Sequence, residues 1–117
     1  MTLDEINTLL DEFEYCDALI TNIESKYFGD YVSIIFESDE DLDVELDFLN
    51  CYEVHISHYK DYGKPGPYKN LKKVQMPFYI QSIKTKEDDG MFLFEICAFP
   101  LDINISCKDL SKRYIYK

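Results

Sequence analysis

The stretch from Asp41 to Tyr59 constrains the fold more than any other part of the chain. In Leu42-Asp43-Val44-Glu45-Leu46-Asp47-Phe48, apolar and acidic residues alternate without interruption. Successive side chains of a β-strand point to opposite faces, so this run has one apolar face and one acidic face. The alternation resumes in Tyr52-Glu53-Val54-His55-Ile56-Ser57, after a break that contains Asn50. Two such runs around a break predict a β-hairpin with one buried face and one solvated face.

The first residues predict a short amphipathic helix. Thr2-Leu3-Asp4-Glu5 has the form of a capping box, in which the side chains of the first and last residues satisfy each other's backbone N–H groups. Apolar residues then recur at spacings of three and four, which gives a helix one apolar side. These residues are Leu3, Ile6, Leu10 and Phe13. We predict a helix from Thr2 to about Tyr15 that packs on a sheet.

Further alternating or apolar runs predict the remaining strands. They cover residues 19–23, 31–37, 77–86, 91–99 and 101–107, while residues 108–117 read as a polar, basic tail. Asp89-Gly90 is a strong hairpin signal between two of these runs. We predict one α+β domain over residues 1–117, with the helix packed on a mostly antiparallel sheet of about seven strands. A sandwich is the alternative arrangement of these strands.

Residues 60–73 differ in kind from the rest of the chain. Two Gly, two Pro and five Lys fall within or beside Tyr62-Gly63-Lys64-Pro65-Gly66-Pro67-Tyr68, a composition that predicts a long loop. Loops of this length inside a domain are usually functional or mobile. Tyr62 and Tyr68 combine rigid aromatic area with nearby positive charge, a mixture typical of contact surfaces. The alternative is a disordered loop without a role.

The charge of the chain is strongly asymmetric. The net charge is −11, and 16 of the 23 acidic residues lie in residues 1–53 beside a single Lys, Lys26. Phosphates would be repelled by such a surface, so nucleic acids and anionic membranes are poor partners, and a basic protein is a good one. The simpler explanation is a solvated face attracted to the basic second half. The chain has no apolar run of ~20 residues and an acidic start, which predicts a cytoplasmic protein.

No motif in the sequence indicates a cofactor, a metal or a catalytic group. Cys16, Cys51, Cys97 and Cys107 form no Cys-x-x-Cys pair, and we expect free thiols that pack as small apolar side chains. His55 and His58, the only histidines, are separated by an odd number of residues and point to opposite faces of a strand. We therefore expect no enzyme. The alternative is a small enzyme or ligand-binding module with a pocket near the 60–73 loop.

Three stretches resemble the immunity protein 50 family and similar small acidic immunity proteins of bacterial polymorphic toxins. They are Cys16-Asp17-Ala18-Leu19-Ile20, Val44-Glu45-Leu46-Asp47-Phe48 with the following Tyr52-Glu53-Val54, and Phe92-Leu93-Phe94-Glu95-Ile96. The resemblance covers most of the chain as a hydrophobic pattern. It implies a cytoplasmic protein that binds and blocks a cognate toxin, and it implies no catalytic residues.

The crowded carboxylates are the first candidate for the partner-binding surface. Like charges on one turn and one strand repel each other, and a cationic partner would relieve that cost and be steered by the field. The predicted partner-binding residues are Asp39, Glu40, Asp41, Asp43, Glu45, Asp47, Tyr62 and Tyr68. We expect the strand carboxylates to be exposed. The alternative is that Lys64, Lys72 or Lys73 of the same chain neutralises them.

Overall fold

The computed structural model describes all 117 residues and shows one helix packed on a six-stranded antiparallel sheet. The elements are α1 (Leu3–Asp11), β1 (Ile20–Lys26), β2 (Tyr31–Glu37), β3 (Leu42–His58), β4 (Ser82–Asp88), β5 (Met91–Ala98) and β6 (Leu101–Tyr116). Their order across the sheet is β1-β2-β3-β6-β5-β4. The predicted α+β class is confirmed, with six strands instead of about seven. No helix has the length and apolar character needed to cross a membrane.

The capping box at the start of α1 forms as predicted. The Glu5 backbone N–H donates to Thr2 Oγ1 at 3.2 Å, and the Thr2 N–H donates to Glu5 Oε1 at 3.0 Å. Ile6 and Leu10 are buried against the sheet. The helix ends at Asp11, four residues earlier than predicted, and Phe13 follows it as a separate contact whose ring centroid lies 5.2 Å from that of Phe36.

The predicted hairpin in the opening stretch is wrong, because both alternating runs belong to the single long strand β3. Both runs pair with β6, from Leu42 opposite Tyr116 to His58 opposite Leu101. Asn50 adopts a positive φ of 54°, and the pairing register shifts between Cys51 and Glu53. The break is therefore a bulge that bends the strand, and it does not reverse the chain. The merging of two predicted strands explains the count of six.

The predicted polar tail is also wrong, since residues 108–116 form the second half of β6. Leu110 is buried in the core, and Lys112 and Arg113 form ion pairs with Glu12 and Glu45. Lys112 ties the sheet to the end of α1, because its ammonium group pairs with Glu12 and lies 5.2 Å from the ring centroid of Phe13. The charged residues of this segment interrupt the apolar alternation, so the sequence pattern does not indicate a strand here.

One continuous core lies on the face of the sheet that α1 covers. Phe48 and Phe94, on β3 and β5, meet at its centre with ring centroids 5.0 Å apart in an edge-to-face arrangement. The largest fully buried side chains are Phe36, Phe48, Phe94, Ile6, Ile34, Leu46, Ile80, Ile96, Ile103, Val32, Val44 and Cys107. Burial at this scale contributes the main stabilisation, at about 1.5–3 kcal/mol for each large apolar side chain.

The sheet curls so that its two edges approach each other at one end. Residues just before β4 pair with residues at the start of β1: Ile80 N–H donates to Ala18 O, and Ile20 N–H donates to Phe78 O, each at 2.8 Å. Leu19 and Tyr79 form an isolated bridge between the same segments. The arrangement is a single curled sheet, and the sandwich alternative of two separate sheets is not observed.

Candidate partner-binding surface

The turn between β2 and β3 carries three of the predicted partner-binding residues, Asp39, Glu40 and Asp41. All three are exposed. Oδ1 of Asp39 accepts a hydrogen bond of 2.8 Å from the Asp41 N–H, and Ser38 N–H donates to Leu42 O at 3.0 Å, which fixes the turn. None of the three carboxylates forms an ion pair within the chain. Their charge is therefore available to a partner.

The turn forms one wall of a cleft of about 390 Å³ that we call the acidic groove. The segment after α1 forms the other wall, and Tyr79 also lines the cleft. Five carboxylates line it: Glu14, Asp17, Glu37, Asp39 and Glu40. Their grouping produces a negative potential in a concave site, where field lines are focused.

Glu37 is the one carboxylate of the acidic groove that the chain itself neutralises. Its Oε2 lies 2.6 Å from Lys73 Nζ and 3.2 Å from Lys117 Nζ. Its hydrogen bond with Lys73 holds the pKa of Glu37 below its usual value. The other four carboxylates have no cation within 4 Å. The groove therefore keeps a net negative charge after its internal pairs are formed.

The carboxylates of the β3 strand lie on the face of the sheet opposite the core. The prediction that they are exposed is wrong for two of them. Glu45 is 5% exposed and Asp47 is 7% exposed. They are covered because β2 and β6 flank β3 on both sides and bring their own polar side chains over it. Asp43 is partly exposed.

Each of these three carboxylates has a partner within the chain. Arg113 Nε lies 2.6 Å from Glu45 Oε2, and Lys117 Nζ lies 3.2 Å from Asp43 Oδ1. The Tyr31 hydroxyl donates to Asp47 Oδ1 at 2.6 Å. The neutralising cations come from β6 and the C-terminus. Lys64, Lys72 and Lys73 do not pair with the strand carboxylates, although Lys73 binds Glu37.

The neighbouring Glu45 and Asp47 differ in acidity. The Arg113 hydrogen bond holds the pKa of Glu45 below its usual value, whereas burial raises the pKa of Asp47. The hydrogen bond to Asp47 also raises the pKa of Tyr31 to about 12. Opposite shifts let two carboxylates lie side by side, because Glu45 carries the charge more readily than Asp47.

The two predicted tyrosines of the long loop pack against aromatic side chains of the fold. The ring centroid of Tyr62 lies 6.0 Å from that of Phe99. Tyr68 lies 4.8 Å from Phe78 and is stacked at 5.5 Å on His58. Both tyrosines are partly exposed. The loop is therefore attached to the body of the protein by its aromatic residues.

A cavity of about 460 Å³ lies beside this loop, where the sequence allowed a ligand pocket. Eight of its twelve lining residues are apolar. The polar ones include His58, whose pKa burial lowers, and the buried hydroxyl of Tyr68 has no hydrogen-bond partner. That this cavity binds a ligand stays a prediction.

Cysteine, histidine and carboxylate side chains do not converge on a metal site. No group of three or more such residues has the geometry to hold an ion. All four cysteines are free thiols, and Cys51 lies opposite Cys107 across β3 and β6. A hydrogen bond with the Cys51 thiol raises the pKa of Cys107, and burial raises it further.

Comparison with known proteins places the chain in the class of immunity proteins, as the resemblance in its sequence predicted. The model of the family described as Immunity protein PIM7 matches residues 2–113, and the chain belongs to that family. Curated proteins yield no match.

The fold is similar to that in a crystal structure of an uncharacterized protein from Neisseria gonorrhoeae. The TM-score is 0.58 at 13% sequence identity, over 86% of this chain and 93% of that chain. At this level of identity the likeness shows the fold alone.

Proposed function

We propose that this protein neutralises a cognate bacterial toxin in the cytoplasm by binding a basic surface of the toxin, without catalysis. Membership of an immunity protein family supports the neutralising role. The acidic contact surface is inferred from one observation. Most carboxylates of the turn and the acidic groove have no ion-pair partner within the chain. The positive charge of Lys or Arg side chains of a toxin would complement these carboxylates.

The turn residues Asp39, Glu40 and Asp41 are the proposed centre of the contact. They project from the end of two paired strands, so the fold holds them in place before binding, and little ordering entropy is lost. Glu14 and Asp17, which the sequence analysis did not single out, extend the surface into the groove.

Asp43, Glu45 and Asp47 are proposed to contribute to the contact in a different way. Each already has a partner within the chain, and Glu45 and Asp47 are buried. They are therefore expected to hold β2, β3 and β6 in register beneath the turn. Arg113, whose side chain is 66% exposed, lies at the rim of this network.

Tyr62 and Tyr68 form a second proposed contact on the long loop. Each buries one side of its ring within the fold and keeps the rest accessible. A preformed aromatic contact of this kind loses little side-chain entropy on binding. The Lys73–Glu37 ion pair connects the loop to the acidic groove.

The test is protection of bacteria that produce the toxin encoded beside this protein. Wild-type protein should restore growth, and the variant Asp39→Asn/Glu40→Gln/Asp41→Asn should protect poorly. The variant Glu87→Gln/Asp88→Asn/Asp89→Asn removes the same number of charges from the β4–β5 turn and should protect fully. Full protection by the first variant at equal protein levels would contradict the acidic contact. Failure of the wild type would contradict the neutralising role.

A further inference from the structure

The second half of β3 has a free edge that the rest of the sheet does not cover. β2 pairs with β3 from Asp43 to Leu49 and no further. Cys51 N–H still donates to Asp30 O at 3.0 Å on the β2 side, and from Tyr52 to His58 β3 pairs with β6 alone. Residues 52–58 therefore present one unpaired side, which we call the open edge.

The backbone groups that face outward at the open edge follow from the pairing with β6. Tyr59 N–H donates to Pro100 O at 2.7 Å, and these two residues continue the register of β3 and β6. In an antiparallel pair, alternate residues direct both N–H and C=O toward the partner strand. The backbone N–H and C=O groups of Glu53, His55 and Ser57 thus point toward β6. The N–H and C=O groups of Val54, Ile56 and His58 point away from it.

The open edge lacks the charges that protect the other edges of the sheet. The edge strand β1 carries Glu24 and Lys26, and β4 carries Lys84, Lys86 and further charges. Charged side chains, Lys above all, discourage strand pairing between molecules. The open edge contains Glu53 as its one carboxylate, with no Lys, Arg or Pro.

Exposed apolar side chains accompany these free backbone groups. Tyr52 is 67% exposed and Ile56 is 44% exposed. Phe28, at the β1–β2 connection, is fully exposed and has a positive φ of 59°, a conformation that is costly for a bulky residue. Phe28, Tyr52 and Ile56 line a common cleft of about 500 Å³. An apolar cleft beside a free edge is suited to a protein partner.

We propose that a second copy of this chain pairs with the open edge, with the two β3 strands antiparallel about Ile56. In this register Ile56 lies opposite Ile56 of the second copy, and Val54 lies opposite His58. The outward N–H and C=O groups of one copy then meet those of the other, which gives about six backbone hydrogen bonds. The contact is closed by two-fold symmetry, so pairing stops at a dimer.

The charge distribution favours a second copy over a basic toxin as the occupant. The proposed register places no like charges opposite each other, since Glu53 lies opposite Tyr59 and Tyr52 lies opposite Lys60. A basic toxin would find one carboxylate here, in contrast to the acidic groove. The acidic turn lies about a dozen residues along β3, at ~3.3 Å each, so its repulsion is screened beyond a Debye length of about 8 Å.

The substitution Ile56→Pro tests the proposal because it removes an outward N–H and leaves the bonds to β6 in place. Proline is tolerated on edge strands where the missing N–H faces away from the neighbouring strand. Sedimentation equilibrium over a range of concentrations should show a dimer of the 13.9 kDa chain for the wild type and for the control Ile56→Val. Ile56→Pro should be a monomer with the wild-type circular dichroism spectrum.

A second variant keeps the test decisive if Ile56→Pro does not fold. Ile56→Lys places two positive charges together at the two-fold axis and should also be monomeric. A wild-type protein that is monomeric at every concentration would overturn the proposal, as would a folded Ile56→Pro or Ile56→Lys variant that remains a dimer. A monomeric wild type whose toxin binding is weakened by Ile56→Lys would assign the edge to the toxin instead. The dimer does not depend on the proposed neutralising role.

Discussion

Tyr31 on β2 and Asp47 on β3 lie diagonally across the two strands and share a hydrogen bond of 2.6 Å from the phenolic hydroxyl to Oδ1. Asp47 is 7% exposed, so few water molecules are available to replace this bond. The pair lies in the polar network behind the acidic turn, next to the Arg113–Glu45 ion pair. Stability and position of the proposed binding surface are therefore linked through this network.

Replacement of Tyr31 by Phe should destabilise the protein by about 1–3 kcal/mol, because a buried carboxylate loses a hydrogen-bond donor. Urea unfolding monitored by circular dichroism measures the free energy of unfolding. Tyr27→Phe is the matched control, since the Tyr27 side chain is 74% exposed and makes no hydrogen bond, and it should leave that free energy unchanged. An equal loss in both variants would refute the role of the Tyr31–Asp47 bond.

The same bond predicts a loss of stability at high pH. The pKa of Tyr31 is raised to about 12 in the folded state from a reference value of 10.0. A group whose pKa is raised by folding stabilises the protein fully below its unfolded pKa and loses that effect as the pH rises to its folded pKa. The contribution of Tyr31 should thus disappear between pH 10 and about pH 12. The difference in unfolding free energy between wild type and Tyr31→Phe isolates it from the other tyrosines, and a difference that does not shrink over this range would exclude the proposed shift.

The bend in β3 predicts an unusual order of variants at Asn50. This residue has a φ of 54°, and its side-chain amide donates to Asp109 Oδ2 at 3.2 Å. Gly adopts a positive φ without strain, whereas Val pays roughly 1–2 kcal/mol or more. Asn50→Gly should therefore be more stable than Asn50→Val in thermal unfolding. The reverse order would contradict the left-handed backbone conformation of Asn50.

The capping box predicts a measurable loss at the other end of the chain. Thr2→Ala removes the acceptor for the Glu5 N–H and should cost about 0.5–2 kcal/mol of unfolding free energy. Thr8→Ala, on the exposed side of the same helix, removes a hydroxyl that caps nothing and raises helix propensity. If Thr8→Ala were as destabilising as Thr2→Ala, the cap would not be the cause.

Local patterns in the sequence were sufficient to predict most of the fold. The capping box, the Asp89-Gly90 hairpin and the period-two runs each depend on neighbouring residues, and the α+β class follows from them. The merging of two runs into β3 could not be predicted, because an Asn with positive φ suits a tight turn and a bulge equally well. Pairing with β6 favours the bulge over the turn, because β6 is long enough to pair with both runs.

The candidate site was less predictable because it depends on register between distant strands. Alternation correctly placed Asp43, Glu45 and Asp47 on one face, but it carried no information on the side chains that flank them. Arg113 lies opposite Glu45 only through the pairing of β3 with β6. The sequence did offer one signal, since Arg113 is the single Arg of the chain. Burial of a carboxylate requires such a partner.

The rate of association with the cognate toxin, measured by stopped flow at increasing ionic strength, tests the acidic surface most directly. Removal of charge by Asp17→Asn/Asp39→Asn/Glu40→Gln should slow association by about tenfold at low salt and flatten its salt dependence, because steering depends on the field of these groups. Glu87→Gln/Asp88→Asn/Asp89→Asn, which removes equal charge from the β4–β5 turn, should keep most of the wild-type rate and salt slope. Equal slowing by both variants would mean that the association rate depends on the net charge of the protein and not on the acidic groove. An unchanged rate for the groove variant would contradict the account.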